Sequence, residues 1–275
     1  MRLTPGRAAV HAALILYTLL AVCPIILIIF NSFKSRAAIF GSPLTLPNSA
    51  TFSLIGYTSV LAKSNFPLYF ANSLIVTIGS LLLVLLFGAM SAWALTEYRF
   101  RGNALIALYM AVGIMVPIRL GSVSILKLMV GLGLVNTLPA LILVYTAMGL
   151  PLAIFILSEF IQQIPREMRD AARMDGASEY RIFWNVILPL IRPAVATVAV
   201  FTMVPIWNDL WFPLILAPSK ATQTVTLGVQ QFIGQYVTDW NAVLAALTLA
   251  LAPILVLYVI FSRSLVRGIT AGAVK

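Results

Sequence analysis

Residues Ile164–Pro193 read IPREMRDAARMDGASEYRIFWNVILPLIRP, and this stretch decides how the rest of the chain is organised. Four acids (Glu167, Asp170, Asp175, Glu179) and five arginines (Arg166, Arg169, Arg173, Arg181, Arg192) fall within it. A charged side chain inside hydrocarbon costs at least ~2.5–3.5 kcal/mol. A segment this polar therefore stands in water. Long apolar runs flank it on both sides, so it reads as a structured loop between two membrane helices.

The stretch predicts two short helices with a break. Pro165 has no N–H to lose and suits a first helical turn. Arg166 and Asp170 fall one turn apart, as do Asp170 and Arg173. Ile164, Met168, Ala171 and Ala172 share another face, kept low by the two alanines. Gly176 lets the backbone leave the helix, and Ser178 is a good N-cap for the next one. Tyr180, Phe183, Trp184, Ile187 and Leu188 follow the i, i+3, i+4, i+7, i+8 spacing of an amphipathic helix. The second helix thus has an apolar side for the protein. The first has an uneven, charged side to offer a partner.

Composition agrees with a membrane setting. The chain has 275 residues, 61% hydrophobic and 9% charged, with mean hydropathy +1.01. Soluble domains carry about 25% charged residues, so soluble-enzyme readings fall away. The formal net charge of +10 sits between apolar spans and reads as topology, not as nucleic-acid binding. One cysteine, Cys23, excludes an internal disulfide and a cysteine-based metal site; it reads as a small packing residue. The one histidine, His11, has no partner cluster and reads as interfacial.

Six apolar runs are legible, against the ~20 residues a membrane helix needs. They lie near 8–29, 67–98, 104–117, 136–160, 194–217 and 241–262. The first is too long, and lacks a small-residue cleavage site, for a signal peptide. Pro117 is expected to kink or end the third, with a short surface helix after it. Asn136 is expected to cap the fourth. The fifth carries Pro205, Trp207, Asn208, Asp209, Trp211 and Pro213. Residues 31–66 and 217–240 read as external loops, and 1–275 as a single transmembrane domain. With both termini in the cytoplasm, twelve basic residues fall inside and six outside, the eighteen in all, obeying the positive-inside rule. The 164–193 loop is then cytoplasmic.

An energy source is missing. No G-x-x-x-x-G-K-[ST] occurs, so no P-loop binds ATP here. Ion-coupled carriers show charged residues within spans, and Asp209 alone looks intramembrane, with no basic partner evident in a neighbouring span. No internal repeat of the kind carriers often show is visible. The simplest account is a separate engine that docks on the polar loop. The chain itself would be no enzyme.

These residues also carry a resemblance. Asp170–Ala177 (DAARMDGA), Ile182–Leu190 (IFWNVILPL) and Pro193 resemble the "EAA" cytoplasmic loop of permease subunits of binding-protein-dependent ABC importers. The first family position is usually Glu; here Asp170 keeps the charge on a side chain one methylene shorter. Ile206–Leu214 (IWNDLWFPL) and Val266–Lys275 (VRGITAGAVK) resemble the carbohydrate branch, CUT1, and the whole chain is similar to the maltose-type second permease subunit.

The resemblance implies an all-α, type I ABC importer permease fold of six transmembrane helices. It implies a multi-pass subunit of a bacterial or archaeal plasma (inner) membrane, surrounded by lipid. It implies three protein partners: a second, different permease subunit, an ATPase dimer that holds ATP and Mg, and an extracytoplasmic solute-binding protein. No cofactor is expected in this chain. The ATPase-docking residues would be Glu167, Asp170, Ala171, Ala172, Met174, Asp175, Gly176, Ala177, Ser178 and Glu179. The tail Thr270–Lys275 would also reach the ATPase pair, and the 217–240 loop would probe the binding protein.

The implied function is sugar import by alternating access. For sugar contact, Trp207, Asn208, Asp209 and Trp211 combine aromatic faces with hydrogen-bonding groups. Helix packing or an interfacial aromatic belt fits these tryptophans equally well. Ser122, Ser124, Tyr145 and Thr146 are further candidates, with interhelical hydrogen bonding as their other use. A permease for a non-sugar solute, or a stand-alone secondary carrier, stays open.

Overall fold

The computed structural model describes residues 5–233 and 238–273, with side chains as far as Val256. Among these residues the chain is helical, with no strand and two isolated bridges, Lys34↔Phe52 and Ile233↔Thr238. In chain order the helices are α1 Pro5–Ser32, α2 Arg36–Gly41, α3 Ile55–Lys63, α4 Phe66–Glu97 and α5 Asn103–Met115. A 3-10 turn, Ile118–Gly121, leads to α6 Ser122–Gly131, α7 Leu138–Gln162 and α8 Arg166–Met174. Then come α9 Glu179–Ile182, a π turn Phe183–Ile187, α10 Leu188–Leu190, α11 Arg192–Asn208 and α12 Trp211–Leu216. Short α13 Val225–Val229 precedes α14 Trp240–Ala273.

Three helices are long and apolar enough to cross a membrane: Ala9–Ser32, Phe66–Glu97 and Leu138–Gln162. Two further segments pass that test only as bent pairs. Asn103–Met115 and Ile118–Gly131 meet at 91°, and Glu179–Leu190 and Arg192–Asn208 at 75°. Pro117 causes the first bend, because a residue before proline is pushed out of the helical region; Val116 is extended at φ −75°, ψ 121°. Along α1, Leu14, Leu16 and Leu20 are exposed. Side chains this apolar need a non-aqueous surrounding. Cys23 is exposed on the same helix and does not pack within the chain.

The chain divides into two compact units. The first holds Met1–Leu68 and Gly228–Ala252. Here Lys34 is fully buried, and its Nζ donates to the carbonyls of Ser42 (2.8 Å) and Pro43 (3.3 Å). Burial pushes its pKa below the ordinary lysine value. Asn31 Nδ2 reaches the Pro43 carbonyl and Asn241 Nδ2 the Lys34 carbonyl. The 31–66 segment is thus pinned by side-chain-to-backbone bonds, as a loop without ladders must be. Gly56 lets α3 approach α14: an added Cβ would stand 2.2 Å from the Asn241 carbonyl oxygen.

The second unit holds Tyr69–Leu227 and Pro253–Lys275. One apolar cluster, including Val84, Trp93, Ala153, Leu157, Ile161, Ile187 and Val198, joins α4, α7 and α11 to the polar loop. A second, including Val76, Leu141, Tyr145, Phe212 and Leu216, lies at the other end of α7.

Two local expectations are corrected. Thr137, not Asn136, caps α7, accepting from Ala140 N. Asn136 takes φ +60° and uses its Oδ1 to accept from Ser219 N; asparagine tolerates that left-handed turn. The helix after Ser178 buries Ile182, Phe183, Ile187 and Ile191, while Tyr180 (78%) and Trp184 (50%) stay exposed. The π turn is the reason. Leu188 N bonds five residues back to the Phe183 carbonyl, and Pro189 has no N–H to give Asn185. The extra residue shifts the buried stripe off the ideal 3.6-residue spacing.

Gly56→Val is expected to cost ~1–3 kcal/mol by forced overpacking. A thermal-shift measurement in detergent checks it, with exposed Thr58→Ala leaving the midpoint in place.

Candidate functional site

The polar loop begins with α8, whose end is shaped by its sequence. Gly176 takes φ +76°. Its N–H bonds to the Arg173 carbonyl and Ala177 N–H to the Ala172 carbonyl, both at 3.0 Å. This is the six-to-one and five-to-two pairing of a Schellman stop. Only glycine takes that φ without penalty. Ala172 and Ala177 then pack together on the apolar cluster beneath. Ser178 Oγ accepts from Arg181 N at 3.4 Å and starts the next helix. The run Ala172-x-x-Asp175-Gly176-Ala177 is therefore a helix stop whose two alanines anchor it.

Ion pairs fix the inward side. Glu97, the last residue of α4, takes Arg169 on one carboxylate oxygen and Arg173 on the other. Arg169 is 5% exposed and also lies 5.9 Å over the Trp93 ring. Arg173 grips Glu179 through Nε (2.9 Å) and Nη2 (3.2 Å), and Asp170 through Nη1 (3.1 Å). Tyr98 donates to Glu179 Oε2 at 2.9 Å. The bonds from Arg173 hold the Glu179 carboxyl below the usual glutamate range. Burial, then the bond to Glu179, pushes Tyr98 up. The bonds to Glu179 and Glu97 push Arg173 further up. The loop is thus bolted to α4 by desolvated, charge-assisted bonds, which are stronger than neutral ones.

The outward side is free. Of the ten expected docking residues, Glu167, Asp170, Ala171, Met174, Asp175, Gly176 and Ser178 are exposed. Ala172, Ala177 and Glu179 are half-buried and turned to their own protein. Met174 is 89% exposed, an adaptable apolar side chain at the tip of a polar loop. Glu97, Arg169 and Tyr98 were missed in the sequence. Their partners lie more than seventy residues away, and no local spacing betrays the pairing. The contact expected of Thr270–Lys275 lies outside the residues whose side chains are described.

The fifth apolar run is broken in its middle. α11 ends at Asn208, Asp209 is extended, and α12 starts at Trp211. Asp209 is buried and has four donors. Phe212 N (3.0 Å) and Trp211 N (3.3 Å) are freed helix-start amides; Tyr145 OH (2.9 Å) and Arg119 Nη2 (3.3 Å) are side chains. Asp209 therefore has a basic partner after all. Arg119 stands in the 3-10 turn behind the Pro117 bend, where a span-by-span reading puts it outside. A ring closes as Trp211 Nε1 donates to Ser122 Oγ (2.8 Å) and Ser122 Oγ donates to the Arg119 carbonyl (2.5 Å). Four donors offset the desolvation of one carboxylate.

The six expected pathway residues thus divide. Tyr145, Ser122, Asp209 and Trp211 share this network. Trp207 is buried edge-on to Phe70. Asn208 bonds its own helix at the Val204 carbonyl. Thr146 bonds back to the Ile142 carbonyl, and Ser124 is exposed. Beside the network lies a cavity of about 220 Å³, whose walls include Arg119, Tyr145, Leu152, Phe201, Thr202 and Asp209.

Long apolar helices, a water-side helix on a braced seat and a polar break in a span define a multi-pass membrane protein built for coupled movement. The chain belongs to the family of binding-protein-dependent transport system inner membrane components, matched over residues 84–271. It is 34% identical to the diacetylchitobiose uptake system permease protein NgcG of Streptomyces coelicolor, over 96% of this chain and 88% of that one. It is 34% identical to the probable starch degradation products transport system permease protein AmyC of Thermoanaerobacterium thermosulfurigenes, over 95% and 94%. It is 31% identical to the melibiose/raffinose/stachyose import permease protein MelC of Bacillus subtilis, over 98% and 99%. A chain of a bacterial ABC transporter involved in the import of the acidic polysaccharide alginate shares the fold, with TM-score 0.80 at 23% identity over 93% of this chain and 95% of that one.

Glu97→Gln is expected to leave buried Arg169 without its counter-charge, at a cost of ~3–5 kcal/mol, read as a lowered melting midpoint. The lowered Glu179 pKa sets a sign. Its contribution is complete above the ordinary glutamate range, about pH 4.3, and is lost as pH falls through the lower folded value. Glu179→Gln should flatten the acid side of a midpoint-against-pH curve.

Proposed function

We propose that this chain is a permease subunit of an ATP-driven sugar importer. It forms half of the translocation pathway in a bacterial or archaeal plasma membrane, and takes its power from a separate ATPase through the 164–193 loop. Oligosaccharides, glycosides and polyols are the cargo class. Family membership and the names of the curated relatives support the cargo. The observation that carries the coupling is the α8 face, where Glu167, Asp170, Ala171, Met174 and Asp175 stand exposed on a seat fixed by Glu97.

The partners are a second, different permease subunit, an ATPase dimer and an extracytoplasmic solute-binding protein. ATP and Mg bind in the ATPase, and this chain holds no cofactor. Both termini and the loop lie in the cytoplasm. When ATP closes the ATPase pair, force must pass through the loop without being absorbed in it. The Schellman stop, the two arginines on Glu97 and the packed Ile182–Ile191 follower supply that stiffness.

Gly176→Val forces a β-branched residue into φ +76° and bends the exposed face. In reconstituted complexes it should lower solute uptake tenfold or more per ATP hydrolysed, with the subunit still assembled in the membrane. Undiminished uptake per ATP would remove the docking role from this loop.

A further inference from the structure

The threonines of the long helices follow one rule with one exception. Thr18, Thr146, Thr197 and Thr248 each donate to the carbonyl four residues back, at 2.7–3.0 Å. This is the ordinary way a helical hydroxyl is satisfied in an apolar setting. Thr202 does not do so. It is 6% exposed, and its Oγ1 has no hydrogen-bond partner among the described residues. A buried hydroxyl left unmet costs more than a hydrogen bond returns, so an orphan of this kind asks for a partner from elsewhere.

Thr202 stands in the wall of the cavity between α7 and α11. Three other polar groups meet there. Pro205 has no N–H to give the Phe201 carbonyl, and both residues line the cavity. Tyr145 spends its proton on Asp209, so its oxygen is left as an acceptor. Arg119 makes one side-chain hydrogen bond, through Nη2 to Asp209, and its side chain is 69% exposed. A carbonyl, a phenol oxygen, a guanidinium and a hydroxyl offer both donors and acceptors. The remaining wall is apolar, with the half-exposed ring of Phe201 and Leu152. A small cavity lined by apolar surface and a few convergent polar groups is the usual form of a ligand site.

Charge and depth narrow the occupant. Arg119 and Asp209 are the charged residues of the wall, and they neutralise one another. An acidic solute would have to draw Arg119 off a buried carboxylate, and unpairing a buried charge is strongly unfavourable. At 1.5 Å per residue, Tyr145 and Leu152 lie roughly 10 and 20 Å along α7 from Leu138, which brackets the middle of a span. We infer that this cavity is a subsite for one uncharged, hydroxyl-bearing ring of the transported solute, with Thr202 and Arg119 as the groups that meet its hydroxyls and exclude acids. The inference rests on the importer reading above and assigns the class of cargo within it.

The test uses the complete transporter in proteoliposomes with its binding protein and four probes: maltotriose, raffinose, diacetylchitobiose and digalacturonate. Wild type should take up at least one neutral probe and not digalacturonate. Thr202→Val, which keeps shape and removes the hydroxyl, should raise the solute concentration for half-maximal uptake about tenfold; Thr202→Ser should restore it. In a Cys23→Ser background, Thr202→Cys should be alkylated by N-ethylmaleimide, and the neutral probe, not digalacturonate, should protect it at least fivefold. Protection by digalacturonate would overturn the neutral class. Equal labelling with and without every probe, alongside a Thr202→Val protein that transports normally, would overturn the subsite. A wild-type complex that moves none of the probes would sink the sugar-importer reading instead, and the protection experiment would still decide the cavity.

Discussion

The whole water-side end of the second unit depends on one shared carboxylate. Glu97 closes α4 with both oxygens occupied, one by Arg169 and one by Arg173. Without that anchor, α8 would be a nine-residue helix with little apolar surface of its own, too short to hold in water. With it, a helix of mostly polar residues becomes a rigid part of the transmembrane body. Desolvated ion pairs are weak evidence for stability, since apolar residues of like volume can do as well. They are better at fixing one arrangement. Arg173 illustrates this, since its fork reaches Glu97, Glu179 and Asp170 at once and so sets the angle between α8 and α9.

The same economy appears at the broken span. Asp209 ends one helix and starts another, and a single carboxylate collects amides from α12, the Tyr145 hydroxyl and the Arg119 guanidinium. Irregular backbone is tolerated at such depth where it is buried in protein or lines a cavity; here it does both. The orphaned Thr202 hydroxyl lies just before this break, on the last full turns of α11. A polar network that is complete on one side and open on the other directs its unmet groups at whatever occupies the space between.

Much of this was legible from the residues. Proline and glycine positions gave the bend at Pro117 and the helix stop at Gly176, because both act locally through φ and the missing N–H. Hydropathy gave the long helices, because twenty apolar residues have few other uses. Three features were not legible. The Glu97 bolt and the Arg119–Asp209 pair join residues 70–90 positions apart, and a charge in one polar turn carries no mark of which distant turn it will meet. The burial of Ile182 and Ile191 was hidden because the spacing was read as an ideal α-helix. The inward turn of Ala172 and Ala177 follows from the Schellman geometry, which their letters alone leave open.

The π turn at Phe183–Ile187 has a use in bookkeeping of angle. An α-helix advances by about 100° per residue, so a turn that swallows one extra residue resets the azimuth of all that follows. Ahead of it the chain faces outward with Tyr180; behind it, α11 faces inward with Ala194 and Val198. The turn is therefore a phase shifter. It lets one continuous stretch of chain satisfy a water-side seat and a lipid-depth core that no single helical phase could serve together.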